Sequence, residues 1–262
     1  MQDGKALQAG TSHDLGQNFG RAFDVKFQNR EGKTDYVWQT SWGSSTRLIG
    51  GLIMTHSDDN GLVLPPRLAP VQVAIVPILG RGGDDAKVLE AGDILAHELR
   101  REQIAVEFDK RDYKPGYKYF EWEQKGVPLR LEIGPKDLEK HSVMAKDRLA
   151  LAKEPWPRSE AVARTKQTLE RLQQALLQRA RKARADNTVE VDDYATFREI
   201  FADNHSKFVM AHWDGTPQTE AKIKEETRAT IRCIPYDSPN ERGKCIISGN
   251  DSFRRVLFAK AY

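Results

Sequence analysis

The stretch SSTRLIGGLIMTH, residues 44 to 56, sets Arg47 inside the first turn of what its apolar spacing predicts as a glycine-containing helix. The positive end of a helix dipole disfavours a guanidinium by roughly 0.3 to 1 kcal/mol unless an anion is bound there too. Upstream, QAGTSHDLGQNF holds Gln8, Thr11 and His13, and the end of the strand-like stretch YVWQTSW leads through Trp42 into Ser44 and Ser45. Small hydrogen-bonding groups, an indole and one guanidinium suit a pocket for a small polar ligand beside a phosphate. Each residue alone also has a structural reading: His13 in a capped turn, Trp42 in a core, Arg47 in a surface ion pair.

The elements that must position these residues differ along the chain. Before residue 66 the strand-like stretches AFDVKF (22–27) and YVWQTSW (36–42) are too few to close a sheet, which points to the tail of a domain in a longer protein. A small self-contained sheet is the alternative. From Pro70 the pattern alternates: VQVAIVPIL as a buried strand, DDAKVLEAGDILAHELRRE as an amphipathic helix, IAVEFD as a strand, KYFEWEQKG as a short helix and VPLRLEIGP as a third strand. The loop from Gly80 to Asp85 lacks the spacing of a glycine phosphate loop and reads as an ordinary turn.

A long helix follows over about 158 to 184, with Val162, Leu169, Leu172, Leu176 and Leu177 as its apolar stripe. Its polar face is basic, at positions 158, 164, 166, 171, 179, 181, 182 and 184, which fits a solvated face better than an RNA-facing one because no aromatics interleave the charges. Beyond it, TFREIFADNHSKFVMAHW and TEAKIKEET read as helices, and ATIRCIPYD, GKCIISG and RRVLFAKAY as strands. With 41 basic and 38 acidic residues, any nucleic-acid surface must come from local clustering. No apolar run approaches a membrane span, MQDGKALQAG has no signal core, and two cysteines make no disulfide framework. A soluble protein of the reducing cytoplasm is the expectation.

SWGSSTRLIGGLIMTHSDDNGLVLPPRLAPVQV resembles the third class II signature and the domain junction of the prolyl-tRNA synthetases. QAGTSHDLGQNF, DYKPGYKYFEWEQKGVPLRLEIGPKDLE and RRVLFAKAY are similar to the archaeal and eukaryotic-type branch of that family, so the resemblance spans the chain. It implies that Arg47 is the catalytic arginine contacting the phosphates of ATP, taken up with Mg2+ as substrate. It further implies that Gln8, Thr11 and Ser45 help hold ATP, and that His13, Trp42 and Ser44 shape the proline pocket. The family's first and second signatures are absent, so the expectation is a C-terminal portion that is inactive alone, from an enzyme that acts as a homodimer on tRNA(Pro). A tRNA-binding paralogue without ligase activity is the alternative.

The implied fold class is a multidomain mixture of α/β and α+β parts. Residues 1–66 form the tail of a class II antiparallel catalytic sheet, residues 67–156 an α/β anticodon-binding domain, and residues 157–262 the long helix with an α+β C-terminal domain. In the anticodon-binding part, the Glu123 carboxylate can accept from the N1 and N2 edge of guanine and Arg130 can donate to O6 and N7. The resemblance puts these two, with Lys153, at the guanines of the proline anticodon. Glu123 and Arg130 could equally pair with each other as a salt bridge.

Some relatives bind zinc in the C-terminal domain through two cysteine pairs. Here the first pair is replaced within HWDGTPQTE and the second keeps Cys245 but has Ser248. Cys233, His205 and His212 lie at spacings that match no ordinary zinc pattern, so no structural zinc is expected. The final Tyr262, whose carboxylate in relatives points toward the active site, is present.

Overall fold

A computed structural model describes residues 1–80, 84–202 and 207–262. The chain runs through β1 (Thr11–Gly16), α1 (Asn18–Ala22), β2 (Lys26–Gln28), β3 (Thr34–Tyr36), β4 (Gln39–Gly43) and α2 (Arg47–His56). Next come β5 (Val73–Pro77), α3 (Asp85–Arg101), β6 (Val106–Phe108), α4 (Pro115–Gln124), β7 (Leu129–Ile133), α5 (Pro135–Glu139), β8 (Ser142–Asp147), β9 (Glu154–Pro157) and α6 (Ala161–Asp186). It finishes with β10 (Thr188–Glu190), α7 (Tyr194–Ala202), β11 (Phe208–His212), α8 (Pro217–Thr227), β12 (Ala229–Cys233), β13 (Gly243–Lys244), β14 (Asp251–Ser252) and β15 (Arg255–Lys260). Two compact units result: residues 3–51 with 189–262 and Met1, and residues 52–188 with Gln2.

The second unit is a five-stranded sheet in the order β6-β5-β7-β8-β9, with β5 parallel to β6 and β7, and the last two strands antiparallel. Every residue of β5 is buried because both faces of the sheet are covered, the usual origin of an uninterrupted apolar strand. Val73 and Ile75 join Leu95, Leu99, Leu129, Leu131 and Leu169 on the side of α3 and α6, while Ala74 and Val76 meet Trp122 and Val127 on the side of α4. Gly92 lets α3 approach closely, since a Cβ there would lie 2.3 Å from the Phe108 ring. The predicted stripe of α6 is buried at Leu169, Leu172 and Leu176, but Leu177 is exposed.

In the first unit, a four-stranded sheet of order β10-β11-β15-β12 packs Val209, Ala211, Val256 and Phe258 against Phe197 and Phe201 of α7 and Ile223 of α8. Residues 3–51 contribute two separate ladders, β1 with β4 and β2 with β3. Ala6 is clipped to the end of the chain: its N–H donates to the Lys260 carbonyl and its carbonyl accepts from the Tyr262 N–H, both at 3.0 Å.

Several expected elements differ. FVMAH is strand β11 rather than the end of a helix, because Val209 and Ala211 pair with Phe258 and Val256 of β15 and bury on one face; residues 203–206 of that stretch lie outside the described residues. GKCIISG is a strand only at Gly243–Lys244, after which Cys245 N–H bonds to the Asn250 carbonyl and closes a turn. AFDVKF is divided by Asp24, whose φ of 54° turns the chain between α1 and β2. YVWQTSW splits between β3 and β4, and β8 and β9 extend the sheet beyond the three strands expected. The turn predicted at Gly80–Asp85 falls partly on residues 81–83, outside the described residues; of its described part, Asp84 caps α3 by accepting from the Lys87 N–H.

Just beyond the end of α4, Gly126 has a φ of +72° and sits where a Cβ would be 2.6 Å from the Leu62 Cβ. The segment before β5 lies against this end, with the Leu62 N–H bonded to the Gln124 carbonyl at 3.0 Å. Gly126→Ala should therefore destabilise the protein by at least about 1–2 kcal/mol, through the left-handed backbone and the contact with Leu62, as measured by urea unfolding.

Candidate functional site

The turn from β4 into α2 brings the first set of candidate residues together. In the β1–β4 ladder Thr11 faces Gly43, Ser12 faces Trp42 and His13 faces Ser41. Gly10 allows close backbone approach, since a Cβ on it would lie 3.2 Å from the Gly43 carbonyl. Gln8, Thr11, His13, Trp42, Ser44, Ser45 and Arg47 all line one open concavity of about 400 Å³. Gln8 Nε2 donates to Thr11 Oγ1 at 2.9 Å. Arg47 is the first residue of α2, and its N–H donates to Ser45 Oγ at 3.3 Å. Among the described residues the Arg47 guanidinium has no ion-pair partner, and Trp42 is 83% exposed, so neither the surface ion pair nor the core tryptophan describes this site.

The second set sits on α4, β7 and the loop before β9. Glu123 and Arg130 line one narrow crevice with Trp122, Val127, Lys146, Asp147 and Arg148. They do not pair with each other. Arg130 donates from Nε (3.2 Å) and Nη2 (3.0 Å) to Oε1 of Glu132, and its guanidinium lies 4.1 Å from the centre of the Tyr119 ring. Lys153 Nζ donates to the other oxygen of Glu132 at 2.7 Å, and the Tyr119 hydroxyl to the same oxygen at 2.9 Å. Glu123 makes no side-chain hydrogen bond or ion pair among the described residues.

Two of the three candidates thus converge on a carboxylate that the sequence reading passed over. Glu132 is only 2% exposed. The available signal was spacing: in LRLEI, Arg130 and Glu132 are two apart on a strand and share the face opposite Leu129, Leu131 and Ile133. A charged pair on the inner face of a covered strand needs partners, and α4 and Lys153 supply them.

A second buried cluster seats α4. Asp109, 2% exposed at the end of β6, accepts from Arg111 at both oxygens (2.9 and 2.8 Å) and from Trp122 Nε1 at 2.9 Å. Arg111 reaches on to Glu121 at 2.7 Å, and the buried Lys118 donates to the Asp109 carbonyl at 2.9 Å. Burial alone would raise the Asp109 carboxyl, but the hydrogen bonds from Arg111 and Trp122 outweigh it and hold the group at about 2.

On the basic face of α6, Arg164 pairs with Glu160, Lys166 with Glu102, Arg171 with Asp147 and Lys182 with Asp186, so part of its charge is neutralised, mostly by acids from outside the helix. In the C-terminal part Asp214 is a hub that accepts from Ser248 (2.6 Å), Thr219 (2.7 Å) and the Thr216 hydroxyl (2.9 Å). Burial opposes ionisation there, but these hydrogen bonds hold its carboxyl well below the usual range. Cys233 is exposed, Cys245 is buried, and His212 is buried with Nδ1 3.1 Å from Ser252 Oγ. His205 lies outside the described residues. Among the described residues no group of three His, Cys, Asp or Glu is arranged to hold a metal ion, and no helix is long and apolar enough to cross a membrane.

Residues 72–168 match the family described as "Anticodon binding domain", and residues 194–262 match "Prolyl-tRNA synthetase, C-terminal". The whole chain aligns with the proline–tRNA ligase of Christiangramia forsetii at 54% identity, covering 53% of that protein. Over its whole length the chain is thus similar to prolyl-tRNA synthetases. Proline–tRNA ligases of Flavobacterium psychrophilum (52% identity, 53% of that protein covered) and Salinibacter ruber (52%, 54% covered) also match over the full chain. The chain spans about half the length of the curated relatives it matches.

The Asp109 cluster predicts a pH dependence. A carboxyl depressed in the folded state stabilises the protein above its unfolded value near 4, and this contribution is lost as pH falls through about 2. Urea unfolding of the wild type should lose on the order of 2 kcal/mol from this group across that window. Asp109→Asn should be less stable at neutral pH and show a shallower slope between about pH 4 and 2.

Proposed function

We propose that this chain is the portion of a proline–tRNA ligase that completes the ATP and proline pocket and reads the anticodon of tRNA(Pro). The observation that carries the reading is the single concavity onto which Gln8, Thr11, His13, Trp42, Ser44, Ser45 and Arg47 converge. In this reading Arg47 meets the phosphates of ATP at the start of α2. Charge-assisted bonds to phosphate offset its poor position on the helix dipole, and the helix end itself favours the anion. Gln8, Thr11 and Ser45 hold the nucleotide, and His13, Trp42 and Ser44 shape the proline pocket.

The chemistry that follows needs no side-chain nucleophile. A proline carboxylate oxygen attacks the α-phosphorus of ATP, supplied with Mg2+, and pyrophosphate leaves. The terminal ribose hydroxyl of the tRNA then attacks the prolyl carbonyl, and AMP leaves. The residues act by positioning and by neutralising charge on the phosphates. The 262-residue chain alone supplies one side of this pocket and is read as inactive by itself.

As units of descent, residues 1–66 are then the tail of a class II catalytic sheet, 67–156 the anticodon-binding domain and 157–262 the long helix with the C-terminal domain. The Asp214 hub supports the reading that hydrogen bonds, rather than a structural zinc, hold the C-terminal corner. The whole protein is proposed to be a cytoplasmic homodimer. Glu123, whose carboxylate has no partner among the described residues, is the acceptor for a guanine edge, with Arg130 and Lys153 as donors beside it.

In the protein translated from the complete reading frame, proline-dependent exchange of pyrophosphate into ATP is expected, and Arg47→Ala should slow it roughly a hundredfold or more. Absence of exchange in that protein would favour a tRNA-binding paralogue instead. In the same protein Glu123→Ala should cost about 1 to 3 kcal/mol in kcat/KM for charging proline tRNA and leave proline activation unchanged. Equal charging by mutant and wild type would assign Glu123 a purely structural role.

A further inference from the structure

Arg130 meets two independent constraints. Its Nε and Nη2 both donate to Oε1 of Glu132, which fixes the direction in which the guanidinium points. The Tyr119 ring, its centre 4.1 Å from the guanidinium carbon, packs against it as a cation–π partner. A guanidinium has five N–H groups, so with one edge held by Glu132 the end-on fork of Nη1 and Nη2 remains to donate. Such a fork matches the paired O6 and N7 acceptors of guanine. Lys153 is drawn to the second oxygen of the same carboxylate, so Glu132 sets the spacing of both cations.

We propose that Glu132, seconded by Tyr119, is the positioning residue of the guanine-reading site, holding Arg130 in the orientation that meets the N7 and O6 edge. The inference rests on the proposed reading of the anticodon by Glu123, Arg130 and Lys153. It adds a role for a side chain that touches no RNA. The negative charge also offsets one of the two cations, which limits their attraction to phosphate in any sequence and leaves geometry to discriminate. A purely structural Glu132 would affect stability alone and would treat the two edges of guanine alike.

The test uses the full 262-residue chain and a stem-loop RNA carrying the proline anticodon loop, with its guanines replaced in turn by 7-deazaguanine, which lacks N7, and by inosine, which lacks the N2 amine. Wild type should bind the guanine loop several-fold or more tighter than either analogue. Glu132→Gln should bring the guanine-over-7-deazaguanine ratio close to one while keeping the guanine-over-inosine ratio that Glu123 controls. Because both readouts are ratios, a general change in attraction to phosphate cancels. Should Glu132→Gln fail to fold by circular dichroism, Tyr119→Leu decides the matter. It removes the ring under Arg130 and one donor to Glu132 without changing any charge, and the same selective loss is expected. Retention of both ratios, or equal loss of both, in a folded variant would overturn the proposal. A wild type indifferent to both analogues would overturn the anticodon reading itself, and the proposal with it.

Discussion

A carboxylate taken out of water has to find donors for both oxygens and a countercharge, and at Glu132 the requirement is met by Arg130, Lys153 and Tyr119 together. These partners come from β7, from the loop before β9 and from α4, so satisfying one side chain ties three elements into a single arrangement. Removing a partner would leave charge buried and unbalanced, which is far more costly than losing a surface ion pair. The same physics recurs at Asp109, where Arg111, Trp122 and Lys118 converge. Helix α4 is thus seated on two buried acids, through Tyr119 on Glu132 and through Lys118 and Trp122 on Asp109, and half-buried Glu123 is carried on that support.

The concavity at the β4–α2 turn works by a contrasting principle. Its side chains are mostly exposed and make few contacts with one another, the Gln8–Thr11 hydrogen bond being one of them. Groups left uncommitted by the fold are available to a ligand, and exposed Trp42 and Arg47, whose guanidinium has no ion-pair partner among the described residues, fit that description. The interior of the sheet unit is committed throughout, as the unbroken burial of β5 shows. One chain therefore combines a loosely held concavity with a firmly packed sheet unit.

How much of this was readable beforehand follows from how local each determinant is. Arg47 at a helix start, with Ser45 two residues earlier, is a short-range pattern, and the helix begins where its spacing put it. The strand–helix alternation of residues 70–135 likewise rests on local periodicity. FVMAH is a different case: its short apolar run suits helix or strand, and pairing with β15, more than forty residues away, decides it. Strands β8 and β9 escaped for a related reason, since SVMAKD and EPWP are too short and mixed to stand out until a sheet edge receives them. Glu132 was hidden because its burial depends on α4 covering the far face of the sheet. A sequence shows that a charge is present, but only the packing shows that it has been withdrawn from water.

The clip between Ala6 and the pair Lys260 and Tyr262 joins segments from opposite ends of the chain, two residues away from Gln8 in the concavity. On the ribosome, Gln8 and Thr11 emerge long before residues 260–262 can reach them. The edge of the concavity beside this clip must then wait for residues 260–262, by closing a loop that runs from Ala6 to Tyr262. The entropy of that closure grows only slowly with loop length, but its rate suffers with separation. Birth order thus makes the β1 edge of the concavity wait for β15 and the residues that follow it.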